Sequence, residues 1–346
     1  MPDATYGYVR SLSSADLREV SLPILMMNAF HLMQKPGSTV INTLGGLHRM
    51  AAWSGLIMTD SGGFQAYSLI RQNAKFGSLG DKGIIFYPEA SSRKLLLTPE
   101  KSIQLQMSYG SDILVCLDDC THVNASRAEQ EASVTRTLAW AARAKSSYLA
   151  QLRSRKWSEE ERPLIFAVIQ GGGELDLRRR CAEGLLEIGF DGFGFGGWPL
   201  DEDSRLLTDI LEYTRSLIPR EFPIHALGIG HPAGIAASYR LGYEMFDCAL
   251  PTRDARHGRL FTWSKSDPIL SADGDWLKFR YINSEENFRD TGPISPDCDC
   301  ECCRDYAMAY LFHLYRMRDP GYMRLATKHN LRFMTRLIER LRAQNA

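Results

Sequence analysis

No run of apolar residues in this chain is long enough to cross a bilayer. The opening residues, MPDATYGYVRSLSSAD, lack the charged-then-apolar layout of a secretion signal. Charge is balanced, with 41 Lys and Arg against 41 Asp and Glu, so any surface that meets a nucleic acid must be a local patch. Internal repeats and low-complexity segments are missing. Cysteine is scarce, eight in 346 residues, and Cys116, Cys120, Cys181 and Cys248 stand apart in apolar surroundings, as reduced thiols do in a reducing compartment. These absences predict a cytoplasmic protein with no membrane partner. Apolar side chains are plentiful, 44% of the chain, enough for the core of one large domain or two modest ones.

The other four cysteines crowd into DCDCECC, residues 297–303. Cys298, Cys300 and Cys303 form C-x-C-x2-C. Neighbours this close cannot easily staple distant parts of a fold, but they can converge on one ion. Zinc wants four soft or borderline ligands in a tetrahedron. Cys302 is a possible substitute, yet one tight loop rarely supplies all four corners. The fourth ligand is expected downstream, in PGYMRLATKHNLRFMTRLIERLR. There Met323, Phe333, Met334, Leu337, Ile338 and Leu341 fall at helical spacing, and His329 lies on the same helix. The plainer alternative is a buried or redox-sensitive thiol cluster. A site closed by four protein ligands is structural, so the chemistry is expected elsewhere.

Short β-rich runs, each ending in a polar or glycine-rich turn, recur along the chain: PILMMNAFH, GLIMTDSGG, DILVCLDDC, LIFAVIQGG, GFGFGGWP, HALGIGHP and EMFDCALPTR. Helical stretches separate most of them, at 99–109, 126–153, 174–188, 203–217 and 233–241. Such alternation predicts parallel strands with helical crossovers. TYGYV is the weakest candidate for an eighth strand. Eight units close an α/β (β/α)8 TIM barrel, preferred over an open doubly wound sheet because reactive-looking residues follow nearly every apolar run. The expected domains are a catalytic barrel over 1–285, with a hairpin or lid inserted around 65–97, and a C-terminal zinc-binding subdomain with its helix over 286–346.

On the strand-end rim, Asp60 closes IMTD, Asp118 and Asp119 close LVCLDD, and Asp247 sits inside MFDCAL. A lone buried carboxylate is more often a cap or a structural ion pair, but three converging on one rim suggest a site. Paired carboxylates can break a glycosidic bond, one attacking the anomeric carbon while the other handles protons. Gln170 with Gly171 and Gly172, and Gly196 with Gly197, offer amide donors and bare backbone to the edge of a flat purine, although each glycine pair alone reads as a tight turn. GIG (Gly228, Gly230) lacks the third glycine of a dinucleotide fingerprint.

The stretches NAFHLMQKPG, GGLHRMAAWSGLIMTDSGGFQAYSL, LTPEKSIQLQMSYGSDILVCLDDC, AVIQGGGELDLR, EIGFDGFGFGG, MFDCALPTRDARHGRLFTW and CDCECC with KHN cover the chain from Asn28 to Asn330. Their order and spacing resemble the tRNA-guanine transglycosylases, also called queuine tRNA-ribosyltransferases. These enzymes exchange a guanine in tRNA for a 7-deazaguanine base. The resemblance implies that Asp247 is the nucleophile that forms a covalent ribosyl-enzyme and Asp60 the general acid/base. It implies that Asp118 accepts from the purine N–H groups, that Gln170 and the Gly197 backbone read the carbonyl edge, that Phe64 stacks on the base, and that Cys120, Gly196 and Leu227 complete the pocket. Arg253 and Arg256 match positions that contact the anticodon loop around the wobble guanine. Cys298, Cys300, Cys303 and His329 match the ligands of a structural Zn2+, and Tyr306, Tyr310 and His313 match a homodimer interface.

The sequence departs from that pattern in three places. It starts close to the first barrel strand, it ends just past the zinc helix, and the glycine pair continues as GGWPLDED where the family usually has a leucine and small residues. Pro199 has no N–H to donate and restricts Trp198 before it. A loop less able to switch between bases is expected, with an incoming base other than the usual bacterial 7-aminomethyl-7-deazaguanine. Two rival readings are a non-catalytic tRNA-binding subunit, against which the intact Asp60, Asp118, Gln170 and Asp247 speak, and a transglycosylase acting on DNA. A generic barrel glycosidase has only the paired carboxylates in its favour.

Overall fold

The computed structural model describes residues 1–72, 74–87, 95–122, 124–201, 203, 205–265, 270–271 and 274–345. In chain order its strands are β1 (Ile24–Asn28), β2 (Leu56–Asp60), β3 (Gly77–Gly80), β4 (Gly83–Phe86), β5 (Leu95–Leu97), β6 (Ile113–Val115), β7 (Leu164–Ile169), β8 (Gly192–Phe195), β9 (Ile224–Ala226), β10 (Met245–Phe246), β11 (Arg259–Trp263) and β12 (Leu277–Tyr281). Seven of them pair in the order β1-β2-β6-β7-β8-β9-β10, every pair parallel, as helical crossovers require. The sheet curls around Met26, Met58, Ile113, Val115, Phe166 and Val168, one alternating set of side chains that fills the barrel interior.

The eighth position corrects one expectation. TYGYV forms no strand; residues 1–4 close the ring instead. Pro2 bridges Cys248 and Asp3 bridges Met26, both in parallel sense, and the Ala4 N–H donates to the Met26 carbonyl at 2.7 Å. The helix Pro99–Tyr109 lies where its signals put it: Thr98 caps it, Pro99 opens it and Gly110 ends it in the left-handed region at φ 75°. The helix Arg127–Arg155 starts on a capping box between Ser126 and Glu129. The helix expected over 203–217 is shorter, Thr208–Ser216. Before it the chain folds back, with the Leu207 N–H donating to the Pro199 carbonyl at 2.9 Å.

Between β2 and the helix Pro99–Tyr109 stand the helix Gly63–Gln72 and the antiparallel sheet β3-β4-β5. Residues 73 and 88–94 of the expected insertion, and 202 and 204 of the glycine-pair loop and the helix after it, lie outside the described residues. After β10 come the helix Leu250–Arg256, the β11-β12 hairpin and the cysteine loop. The helix Pro320–Asn345 then joins two cores. Phe333, Leu337 and Leu341 pack with the barrel's outer layer, while Tyr322, Leu325 and Ala326 pack with the cysteines. Lys328, fully buried on this helix, pairs with Glu301 at 2.5 Å and with Glu19, tying the N-terminal region to the cysteine loop. Among the described residues no helix is long and apolar enough to cross a membrane.

Candidate active site

The parallel strands all end on one rim, and the residues singled out above gather there. Asp60 ends β2, Asp118 lies three residues past β6, Gln170 follows β7, Gly196 follows β8, Leu227 follows β9 and Asp247 follows β10. Asp247 Oδ1 stands 2.8 Å from His225 Nε2 and accepts the Gly228 N–H at 3.1 Å. Burial pushes the Asp247 carboxyl up, but the imidazole and that N–H outweigh it and hold the group below the usual carboxylate value.

Asp60 has the opposite tendency. Burial raises it to about 7, and the charge of Asp247 adds to the rise. The Asn28 amide, 2.7 Å from Oδ2, and the Gly62 N–H, 3.0 Å from Oδ1, pull the other way. The two carboxyls are thus near enough to feel each other, one held as the anion and the other poised to carry a proton at neutral pH.

A second pair forms a flat polar edge. Gln170 Nε2 donates to Asp118 Oδ2 at 2.6 Å, and Gln170 Oε1 is buried without a partner among the described residues. Burial raises Asp118 to about 7, against the pull of the Gln170 amide. Gly196 is required here, because a Cβ would come within 2.5 Å of Gln170 Nε2. Gly197 follows at φ 88°, which exposes its backbone. Cys120 is buried beside it, its thiol pushed up by burial. Asp119 does not join: it turns away to pair with Arg136, and its backbone N–H donates to Thr137 Oγ1 at 3.0 Å. Phe64 is half exposed at the mouth, its ring 5.9 Å from Trp198, which lies 5.9 Å from His122 on its other side. Leu227 packs against the interior cluster beneath the rim.

Three positioning residues were missed in the sequence. His225 was passed over inside HALGIG, and Asn28 lies at the end of β1 opposite Asp60. Arg178 is fully buried and donates to the carbonyls of Ile169 (2.9 Å), Gly172 (2.9 Å) and Gly196 (3.0 Å), with its guanidinium 4.2 Å over the Phe195 ring. It thereby pins the ends of β7 and β8. Its signal was legible: Arg178, Cys181, Ala182 and Leu185 share one buried helical stripe.

Away from the rim, Cys298, Cys300, Cys303 and His329 are all buried, with their donor atoms within 4.8 Å of one another. Cys303 Sγ is 3.3 Å and Cys300 Sγ 3.7 Å from His329 Nδ1. Donors bound at about 2.0–2.3 Å in a tetrahedron lie roughly this far apart. His329 Nε2, 2.7 Å from the Phe261 carbonyl, is placed to donate to it and leave Nδ1 free as a ligand. This group could hold a metal ion, and its donor set suits zinc. Cys302 is buried but outside the group. All eight cysteines are free thiols, with no disulfide among them.

Fold and sites together define a (β/α)8-barrel protein with a buried Cys3His centre in its C-terminal region. The chain belongs to the queuine tRNA-ribosyltransferase family, whose model matches residues 1–344. It is 37% identical over 342 residues to the queuine tRNA-ribosyltransferase of Solidesulfovibrio magneticus, covering 99% of this chain and 85% of that one. It is 36% identical, over 99% of its length, to those of a Psychrobacter species and Lysinibacillus sphaericus, covering 84% and 83% of them. Those relatives are named as ribosyltransferases, and ribose is a pentose.

Proposed function

We propose that this protein exchanges the wobble guanine of tRNA for a 7-deazaguanine base, queuine or a precursor, through a covalent bond between Asp247 and the ribose. The observation that carries the reading is the contrast between Asp247, held anionic, and Asp60, raised to about 7 beside it. Asp247 attacks C1′, the bond from C1′ to guanine N9 breaks, and the protonated Asp60 supplies the proton the departing base needs. Asp60, now a carboxylate, takes the N9 proton of the incoming base. Its nitrogen then displaces Asp247 from C1′. Two displacements retain the configuration of the sugar.

Asp118 accepts from the N–H edge of the base while Gln170 and the Gly197 backbone face its carbonyl, with Phe64 against the ring. Arg253 and Arg256, on the helix that begins three residues after Asp247, take the flanking nucleotides. The Cys3His centre binds zinc, which supplies structural cross-linking far from the reacting carbon. Tyr306 and Tyr310 stack at 5.5 Å on the surface of the cysteine-bearing part, where we place a homodimer contact together with His313. A tRNA substrate is in keeping with a cytoplasmic protein.

The test is incorporation of labelled guanine into unmodified tRNA and into duplex DNA, with Asp247→Ala as control. Exchange into tRNA alone, lost in the variant, is the expected result. Exchange that survives Asp247→Ala refutes the nucleophile, and exchange into DNA instead of tRNA refutes the substrate.

A further inference from the structure

We infer that the cavity between the helix Leu250–Arg256 and the cysteine-bearing part is a phosphate subsite, which takes a backbone phosphate of the RNA beside the nucleotide being exchanged. The inference rests on the tRNA reading above and adds a second contact from a different part of the chain.

The cavity has a volume of about 400 Å³ and is lined by Arg256, Arg316, Arg318, Tyr315, Tyr322, Asp319 and Met323. That is room for a phosphate with its sugar. Three guanidinium groups meet one carboxylate in a chain whose formal charge is zero. The carboxylate already has work: Asp319 Oδ1 accepts the Gly321 N–H at 2.7 Å, at the start of the helix Pro320–Asn345. Arg316 reaches Glu285 only at 3.8 Å, both side chains exposed, so that pair contributes little. Among the described residues, Arg256 Nη1 is buried without a hydrogen-bond partner. A buried N–H left unpaired is costly, so an acceptor is expected to meet it. Burial and the neighbouring Arg10 and Arg253 both lower its pKa, with only Asp3 opposing them. Five arginines from three separate stretches therefore make the local basic patch that a neutral chain needs for nucleic acid.

The walls are fixed from both sides. Tyr322 Oη donates to the Ala255 carbonyl at 3.1 Å, and Asn330 Nδ2 donates to the Pro251 carbonyl at 3.0 Å. A Cβ on Gly258, which sits at φ 94°, would meet Tyr315 Oη at 3.5 Å, so the helix end and the cysteine-bearing part pack closely. Because that helix starts three residues after Asp247, an anion at its far end lies at a set offset from the ribose under attack. A guanidinium fork suits phosphate oxygens, and such contacts set register without reading sequence.

The experiment compares Arg316→Ala, Arg318→Ala and the double variant with the wild type in the full chain, after thermal melts show that each is folded. Guanine incorporation is followed over a range of salt. The expected result is a several-fold higher KM for tRNA per arginine, with kcat and the KM for guanine unchanged. The slope of log KM against log salt should flatten by about 0.7–0.9 per phosphate contact removed. A double variant with wild-type KM and slope overturns the subsite and leaves the exchange reading intact. Inorganic phosphate is titrated in parallel. If it raises the melting temperature of the wild type alone while the KM for tRNA is the same in all variants, the cavity holds a small anion and the RNA assignment is overturned. A wild type that exchanges no guanine overturns the exchange reading instead. The same slopes, measured by direct binding of an anticodon stem-loop RNA, then decide the subsite.

Discussion

The imidazole of His225 is fully buried on β9, and its Nε2 stands 2.8 Å from Oδ1 of Asp247, one residue past β10. A side chain that touches no solvent thus sets the orientation and charge of one that faces the rim. His225→Phe keeps a ring and removes the nitrogen. Burial then dominates, and the Asp247 carboxyl rises. The acid limb of kcat/KM is expected to move to higher pH, with kcat falling about 10²-fold as the carboxylate loses its alignment. A packing role alone would lower the melting temperature and leave the limb where it was.

The raised Asp60 makes a prediction of opposite sign. Its value in the folded protein, about 7, lies above the ordinary 3.8. Between those values the folded state binds more protons than the unfolded one, so this group lowers stability as pH rises from about 4, in full above 7. Asp60→Asn abolishes exchange and removes that penalty. Relative to wild type, its urea midpoint should gain between pH 5 and pH 8. In the wild type, loss of the Asp60 proton should give kcat/KM for tRNA an alkaline limb near pH 7. A midpoint difference that is flat with pH would mean that Asp60 is not raised.

Much of this is legible in the sequence, for identifiable reasons. Each barrel strand announces itself as an apolar run stopped by polar or glycine residues, and the rim residues come directly after it. The closing stretch did not, because MPDA has no alternating pattern and is held by backbone pairing to strands distant in sequence, by the Met1 amino group on the Phe246 carbonyl and by packing of Met1 and Ala4. Strand spacing alone does not separate Asp118 from Asp119; only the family resemblance picks Asp118. Which of two adjacent carboxylates meets Gln170 depends on where the helix Arg127–Arg155 puts Arg136. His225 depends likewise on a partner 22 residues away.

The Cys3His centre separates cleanly by substitution. Cys300→Ser removes a donor, whereas Cys302→Ser leaves all four in place. Elemental analysis should find about one zinc per chain in the wild type and in Cys302→Ser, and much less in Cys300→Ser. Metal binding contributes folding free energy. The helix carrying His329 also packs Phe333 and Leu337 on the barrel's outer layer, so metal loss should lower the melting temperature of the whole chain. Equal zinc in both variants would contradict the ligand set.

Trp198 carries the prediction about the incoming base. It stands between Phe64 and His122, 5.9 Å from each. Its loop cannot rearrange freely. The Pro199 carbonyl accepts from the Leu207 N–H, Leu200 bridges Leu206, and Pro199 offers no N–H to a substituent at the base's 7-position. On the proposed base-exchange reading, a polar aminomethyl group at that position would find no N–H on Pro199 and would face the indole of Trp198. Pocket differences of this size change selectivity by about 10–200-fold. In competition against labelled guanine, the wild type should rank 7-aminomethyl-7-deazaguanine behind 7-deazaguanines with other substituents. The double variant Trp198→Leu, Pro199→Ala should recover most of that difference, with its KM for tRNA unchanged. Identical base rankings in the two proteins would show that this loop does not choose the base.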